Sequence, residues 1–191
     1  MAVIGSSPSP CVRIVRPMAE LLLTDGVVTL RPWRKADAAE LVECINGDPE
    51  ITRWLDQVPQ PYRAKDALAY IRGIGESAFA VTDPETGRVL GSIGVRFSEA
   101  GDVGEIGYWL RADARGHGTI ARALRVVSEW AFGRGDVERL QLRADVDNAP
   151  SRRSAEKAGF QLEGVLRSVY WNARLGRRQN WALYSLLPDE L

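Results

Sequence analysis

The 191-residue chain has one histidine, His117, and two cysteines, Cys11 and Cys44. A single imidazole excludes a multi-histidine metal centre. It also excludes His–Cys or Ser–His–Asp catalysis unless His117 is itself the base. The cysteines sit in unrelated contexts with no CxxC and no histidine nearby, so neither a zinc pattern nor a disulfide framework is expected. They read as free thiols of a reducing cytosol, and the expected location is cytoplasmic. Net charge is also lacking, with Lys+Arg 25 against Asp+Glu 25. A chain that coats DNA or an anionic membrane normally carries a basic excess, so neither a nucleic acid nor a membrane is expected as partner, although a local basic patch is compatible with a zero total. No stretch approaches the roughly 18 consecutive apolar residues of a membrane span. The start has no basic or apolar leader pattern, because Pro8 and Pro10 interrupt it. Residues 1–20 therefore read as a flexible Ser- and Pro-rich extension, with Met18 as an alternative start.

What is present is ordinary for a globular protein: 45% hydrophobic and 26% charged residues, with 18 Gly and 10 Pro. The length suits one domain, expected over 27–187. Val27 to Arg31 alternates as a strand closed by Pro32. Asp37 opens a helical pattern (Ala38, Leu41, Val42, Ile45) that stops at Asn46-Gly47. Short helices follow at Pro49 to Leu55 and Ala64 to Ile71. Strands are expected at Ala78 to Val81, Val89 to Phe97 and Val103 to Leu110. Ile120, Leu124, Val127 and Ala131 then mark one face of an amphipathic helix. Leu140 to Val146 alternates as a strand, and Asn148 and Pro150 start a helix that ends at Gly159. Two closing strands, about Phe160 to Tyr170 and Gln179 to Leu187, flank a loop from Asn172 to Arg178. The order βααα-βββ-αβ-αββ defines an α/β (α+β) domain with a mixed sheet.

Chemistry concentrates between Glu105 and Phe160. A strand, the loop Arg115-Gly116-His117-Gly118 and a helix follow one another. Glycines let a backbone approach a ligand closely, and the first amides of a helix are unpaired, so together they form a site for a phosphate or pyrophosphate. Alone, such a loop is equally well a tight turn. It is not a Walker A loop, lacking Lys-Ser/Thr after Gly118, and Ile120 and Ala121 break GxGxxG.

The wider context is Glu-Ile-Gly-Tyr-Trp-Leu from Glu105, the Arg-x-x-Gly loop, Asn148-Ala-Pro-Ser151 and Glu156-Lys-Ala-Gly-Phe160, in that order. With these four signatures the chain, from about Val27 to Leu187, resembles the GNAT superfamily of acyl-CoA-dependent N-acyltransferases. It looks most like the branch that acetylates N-terminal amino groups of ribosomal proteins. The resemblance implies a mostly antiparallel sheet splayed at its centre with helices on both faces, and acetyl-CoA as co-substrate with no metal. It implies that the cofactor diphosphate lies on the amides of Arg115, Gly116, His117, Gly118, Thr119 and Ile120. It further implies that the pantetheine arm pairs with a strand edge exposed by a bulge near Trp109, Leu110 and Arg111. Asn148 matches the residue that bonds that arm, and Ser151 the hydroxyl placed near the sulfur. Ile120 departs from the small residue usual at its position, and it either crowds the phosphates or turns into the core.

Acetyl transfer to an amine requires a neutral nucleophile. At pH 7 that costs about 4.6 kcal/mol for a lysine-like amine but only about 1 to 1.4 for an α-amino group. An N-terminal amine thus needs only a modest base. Glu105 is the candidate base, set in an apolar run where an ionised carboxylate without partners is costly and a raised pKa is expected; the alternative is a strand-end residue bonded to a neighbouring arginine. Ser151 is the candidate acid for the departing thiolate, or else a first-turn cap. Tyr170, on the closing hairpin where some relatives carry a carboxylate, is a third catalytic candidate or a pocket wall. His117 reads as a phosphate neighbour. Arg115, Arg122, Arg152 and Arg153 either meet phosphates or form a solvated face. Trp54 is the expected acceptor-side wall. The acceptor is a protein N-terminus, or alternatively a small amine such as an antibiotic or polyamine. A CoA-binding module without catalysis is the competing class. A monomer or homodimer is expected.

Overall fold

The computed structural model describes residues 21–191. The expected extension over 1–20, with Cys11 and Met18, lies outside the described residues. β1 (Leu23–Thr24) and β2 (Thr29–Pro32) lead into α1 (Ala38–Gly47), α2 (Pro49–Trp54) and α3 (Ala64–Gly73). Then come β3 (Ala78–Thr82), β4 (Val89–Phe97), β5 (Val103–Leu110), α4 (Thr119–Phe132), β6 (Arg139–Asp145), α5 (Ala149–Ala158), β7 (Gln161–Asn172) and β8 (Arg177–Leu186). The sheet order is β1-β2-β3-β4-β5-β6-β8-β7, and every neighbouring pair is antiparallel except β5–β6.

Both faces of the central strands are covered. On one, Phe79, Ile93, Ile106 and Leu142 pack against Leu124 and Val127 of α4, which buries the stripe read from the sequence. On the other, Leu41 and Ile45 of α1, Tyr62, and Ala67 of α3 pack against Ala80 and Val89. Strands buried on both sides read as continuous rather than alternating apolar runs, as β3 does. The core begins earlier than expected: Leu23 is fully buried and pairs with Leu30, so the domain starts before residue 27. The closing hairpin is longer than expected. Trp171 pairs with Arg178 and Asn172 with Arg177, which shrinks the loop to 173–176. Asn172 makes so tight a turn possible, because its Oδ1 accepts from the amides of Arg174 and Leu175.

The splay at the sheet centre has a simple origin. β5 pairs with β6 only over Val103–Ile106, against Arg139–Leu142. Gly104 allows the close approach there, since a Cβ on it would lie 2.7 Å from both Leu140 and Val95 side-chain carbons. Beyond Ile106 the strands part, while β5 keeps an unbroken register with β4 from Phe97↔Gly104 to Gly91↔Leu110. The expected bulge near Trp109 to Arg111 is therefore absent. The divergence of β6, not a bulge, exposes the edge.

Candidate active site

The loop before α4 presents donors without acceptors. Gly116 and Gly118 hold φ of 84° and 78°, which turns successive amides outward. The first helical bond runs from Arg122 N to the Gly118 carbonyl at 3.1 Å, and the amides of Gly116 through Ala121 find no acceptor among the described residues. Uncompensated amides at a helix N-terminus fit a diphosphate. Ile120 does not crowd them, because its side chain is 7% exposed and belongs to the core beneath α4.

Several expected cofactor contacts are otherwise engaged. The Arg115 amide donates to the Ala112 carbonyl, so the free run starts at Gly116. The Arg115 guanidinium folds back onto the Leu110 carbonyl, at 2.7 Å, and onto the buried Asp48 that caps α2. Arg111 pairs with Glu40 and Asp113, and its amide donates to the Leu90 carbonyl at 2.9 Å. That bond fixes the alternation along β5: Trp109 pairs back to β4, whereas Tyr108 and Leu110 turn their backbone groups into the gap. Trp109 and Arg111 are thus not edge ligands, and of Leu110 the amide alone remains, its carbonyl being held by Arg115. Arg122 pairs with Asp25, and Arg152 bonds the Tyr184 hydroxyl and the Val146 carbonyl. The cation beside the loop is Lys157, whose Nζ would lie 3.3 Å from a Cβ on Gly118. It stands inside Glu-Lys-Ala-Gly-Phe, but nothing in a one-dimensional reading folds α5 back onto the loop. His117 is exposed on that loop.

Across the gap, Asn148 caps α5 by accepting from the Ser151 amide at 3.2 Å. Ser151 is therefore not the cap. Its Oγ lies 2.8 Å from the Tyr108 hydroxyl, which also reaches the Ser151 carbonyl at 3.1 Å. Burial pushes Tyr108 up to about 12, so the phenol keeps its proton at neutral pH.

The opposite face of β5 opens into a cleft of about 820 Å³ that Glu105, Gly107, Tyr108 and Trp109 line on one side and α1 and α3 on the other. Glu105, its side chain 29% exposed, forms an ion pair with Arg143. The premise of an unpartnered carboxylate does not hold, yet the group faces the cleft as a base must. The Arg143 guanidinium carbon lies 4.8 Å from the centroid of the Trp181 ring, and Trp181 stacks on Tyr170 at 5.6 Å. The Tyr170 hydroxyl donates to Asp56 at 2.7 Å, and the Ala173 amide donates to the other oxygen of Asp56 at 2.8 Å. Tyr170 and Trp54 do not line the cleft; Trp109 does. Sequence reasoning missed Asp56, which the Tyr170 hydroxyl fixes in the loop after α2.

Sequence comparison agrees with this geometry. Residues 28–161 match a family model described as an acetyltransferase (GNAT) domain, and the chain belongs to that family of N-acetyltransferases. Among individual relatives, a protein named "Uncharacterized N-acetyltransferase p20" from Bacillus licheniformis is 28% identical over 178 residues, 90% of this chain and 98% of that one. The ribosomal-protein-serine acetyltransferase of Escherichia coli is 37% identical over 65 residues, 34% of this chain and 36% of that one. In three dimensions the chain is similar to Mycobacterium smegmatis RimJ, solved in complex with CoA-disulfide, with a TM-score of 0.74 at 21% identity over 87% of this chain and 84% of that one. No helix among the described residues is long and apolar enough to cross a membrane.

Proposed function

We propose that this chain transfers an acetyl group from acetyl-CoA directly to the α-amino group of a polypeptide N-terminus. The observation that carries the reading is the position of Glu105, which faces the cleft two residues before Gly107, where β5 leaves β6. A base therefore stands beside the opening that the donor-rich loop addresses from the other side. Amides of Gly116 to Ala121 and the Lys157 ammonium hold the diphosphate, and the Tyr108 backbone groups and the Leu110 amide pair with the pantetheine. Glu105 takes the proton shed by the amine nitrogen as the N–C bond forms. The Ser151 hydroxyl, held by Tyr108, donates towards sulfur as the C–S bond breaks. Cys44 is buried and desolvation pushes its thiol pKa up, so it is not set up as an acyl carrier.

An α-amino acceptor suits this equipment, because an α-amine reaches its neutral form at little cost near pH 7 and asks least of the carboxylate that faces the cleft. The likeness to enzymes named as ribosomal-protein acetyltransferases supports the same choice. The test is thiol release from acetyl-CoA with N-terminal peptides, a lysine-only peptide blocked at its N-terminus, and polyamines. Mass spectrometry then locates the acetyl group. Transfer to peptide α-amines that Glu105→Gln lowers by about 10²-fold is the expected result. Transfer confined to side-chain or small amines overturns the reading.

A further inference from the structure

The cleft is longer than an amine needs. From Glu105 and Gly107 it continues between α1, α3 and the sheet, where Leu41, Ile45, Leu55, Val58, Tyr62 and Ile74 form its wall. We infer that the first residue of the acceptor chain carries a bulky aliphatic or aromatic side chain, which fills this apolar part of the cleft; the inference rests on the N-terminal reading above. Three observations support it. First, two polar groups along this wall are tied: the Tyr70 hydroxyl is bonded to Ser92 at 2.9 Å, which leaves its ring for contact, and the Asp66 carboxylate accepts from the Arg63 amide at 2.9 Å, while the exposed Gln57 and Glu76 also border the cleft. Second, Arg96 is the only cation among the lining residues, and it is on β4 directly opposite Glu105 on β5 rather than among the apolar residues of α1 and α3. An acidic first side chain would have to shed its water without finding a counter-ion there. Third, Trp109 faces this cleft and packs with the helix cluster, so the side chain beside the reacting amine meets an indole rather than water.

A glycine or serine at that position would leave the apolar wall wet. Differential burial of one large side chain in the transition state gives at least about 10-fold in kcat/KM. Ala69, exposed on α3 and lining the same cleft, provides a second handle: Ala69→Phe fills the cleft without altering a buried position.

The experiment uses the full chain, acetyl-CoA and peptides that differ only in the first residue, which is Leu, Phe, Gly, Ser or Asp, with leucinamide alongside. Leu and Phe peptides are expected to exceed Gly and Ser by about 10-fold or more, with Asp lowest. Ala69→Phe is expected to abolish that preference, with CoA affinity by calorimetry and the melting temperature kept close to wild type to show that the variant is folded. Gly, Ser or Asp peptides that match Leu in the wild type overturn the inference and leave the N-terminal reading standing. Leucinamide as good as the Leu peptide, with the Leu-over-Gly preference kept, leaves the cleft assignment standing and overturns the polypeptide acceptor. Transfer to no peptide overturns both.

Discussion

The Tyr108 phenol, on β5, reaches across the gap to Ser151, on the first turn of α5, at 2.8 Å from its Oγ. When that phenol donates to Oγ, the serine hydroxyl is free to aim its own proton into the gap. Tyr108→Phe is expected to lower kcat about 3- to 10-fold, the worth of one hydrogen bond, with little change in KM for acetyl-CoA. Ser151→Ala should cost about 10²-fold. The double variant should be no worse than Ser151→Ala alone, because the phenol acts through the serine. An additive loss in single-turnover kinetics would show that Tyr108 acts independently.

Alkaline stability follows from the buried phenols. Burial holds Tyr62 and Tyr108 up at about 12 and raises Tyr70 as well. Between about pH 10, where an unfolded tyrosine ionises, and 12, the folded chain retains protons that the unfolded chain has lost. The stability from these groups is fully present below about pH 10 and declines as pH rises through 12. Melting temperatures from pH 8 to 12 should fall over that window, and less steeply in Tyr62→Phe. Parallel curves for the two proteins would contradict the assignment.

The loop before α4 is sensitive to a single methyl group. Gly118→Ala places a Cβ at a φ of 78° and 3.3 Å from the Lys157 ammonium. CoA affinity by calorimetry is expected to weaken about 10-fold from the strain and displaced cation. Lys157→Met should weaken it less, and should flatten its dependence on salt. Affinity unchanged in both variants would remove the diphosphate from this loop.

Tyr170 separates two roles cleanly. Its hydroxyl is committed to Asp56, which ties the β7–β8 hairpin to the loop after α2. Tyr170→Phe should therefore raise KM for a peptide several-fold and leave kcat nearly intact. A collapse of kcat at unchanged KM would instead place the hydroxyl in the chemistry.

The helices and strands were legible in the sequence because each carries its own period and its own stops. α4 shows an apolar residue at Ile120, Leu124, Val127 and Ala131, and α5 shows Asn148, Pro150 and Gly159 at its ends. The loop glycines were legible for the same local reason. What escaped is long-range. Arg115 looked like a phosphate ligand until folding brought Asp48, 67 residues away, against it. An arginine partner for Glu105 was legible as one of two readings, but which arginine was not, because Arg143 is 38 residues distant. Asp56 had no signal at all, since its meaning depends on a tyrosine 114 residues further on. Backbone alternation along β5 was equally hidden: only the register with β4 shows that Tyr108 and Leu110, and not Trp109, face the gap.

The short parallel ladder of Val103–Ile106 with Arg139–Leu142 divides responsibility within the fold. The helices α1 and α3 that wall the cleft come before it, and Ser151 with its cap comes from the segment after it. Mutations in those helices can therefore remodel the wall of the cleft without disturbing the Ser151 hydroxyl. Selection can change the customer while keeping the chemistry, and grafting the first 97 residues of a relative with another acceptor onto this second half is the direct way to exploit that independence.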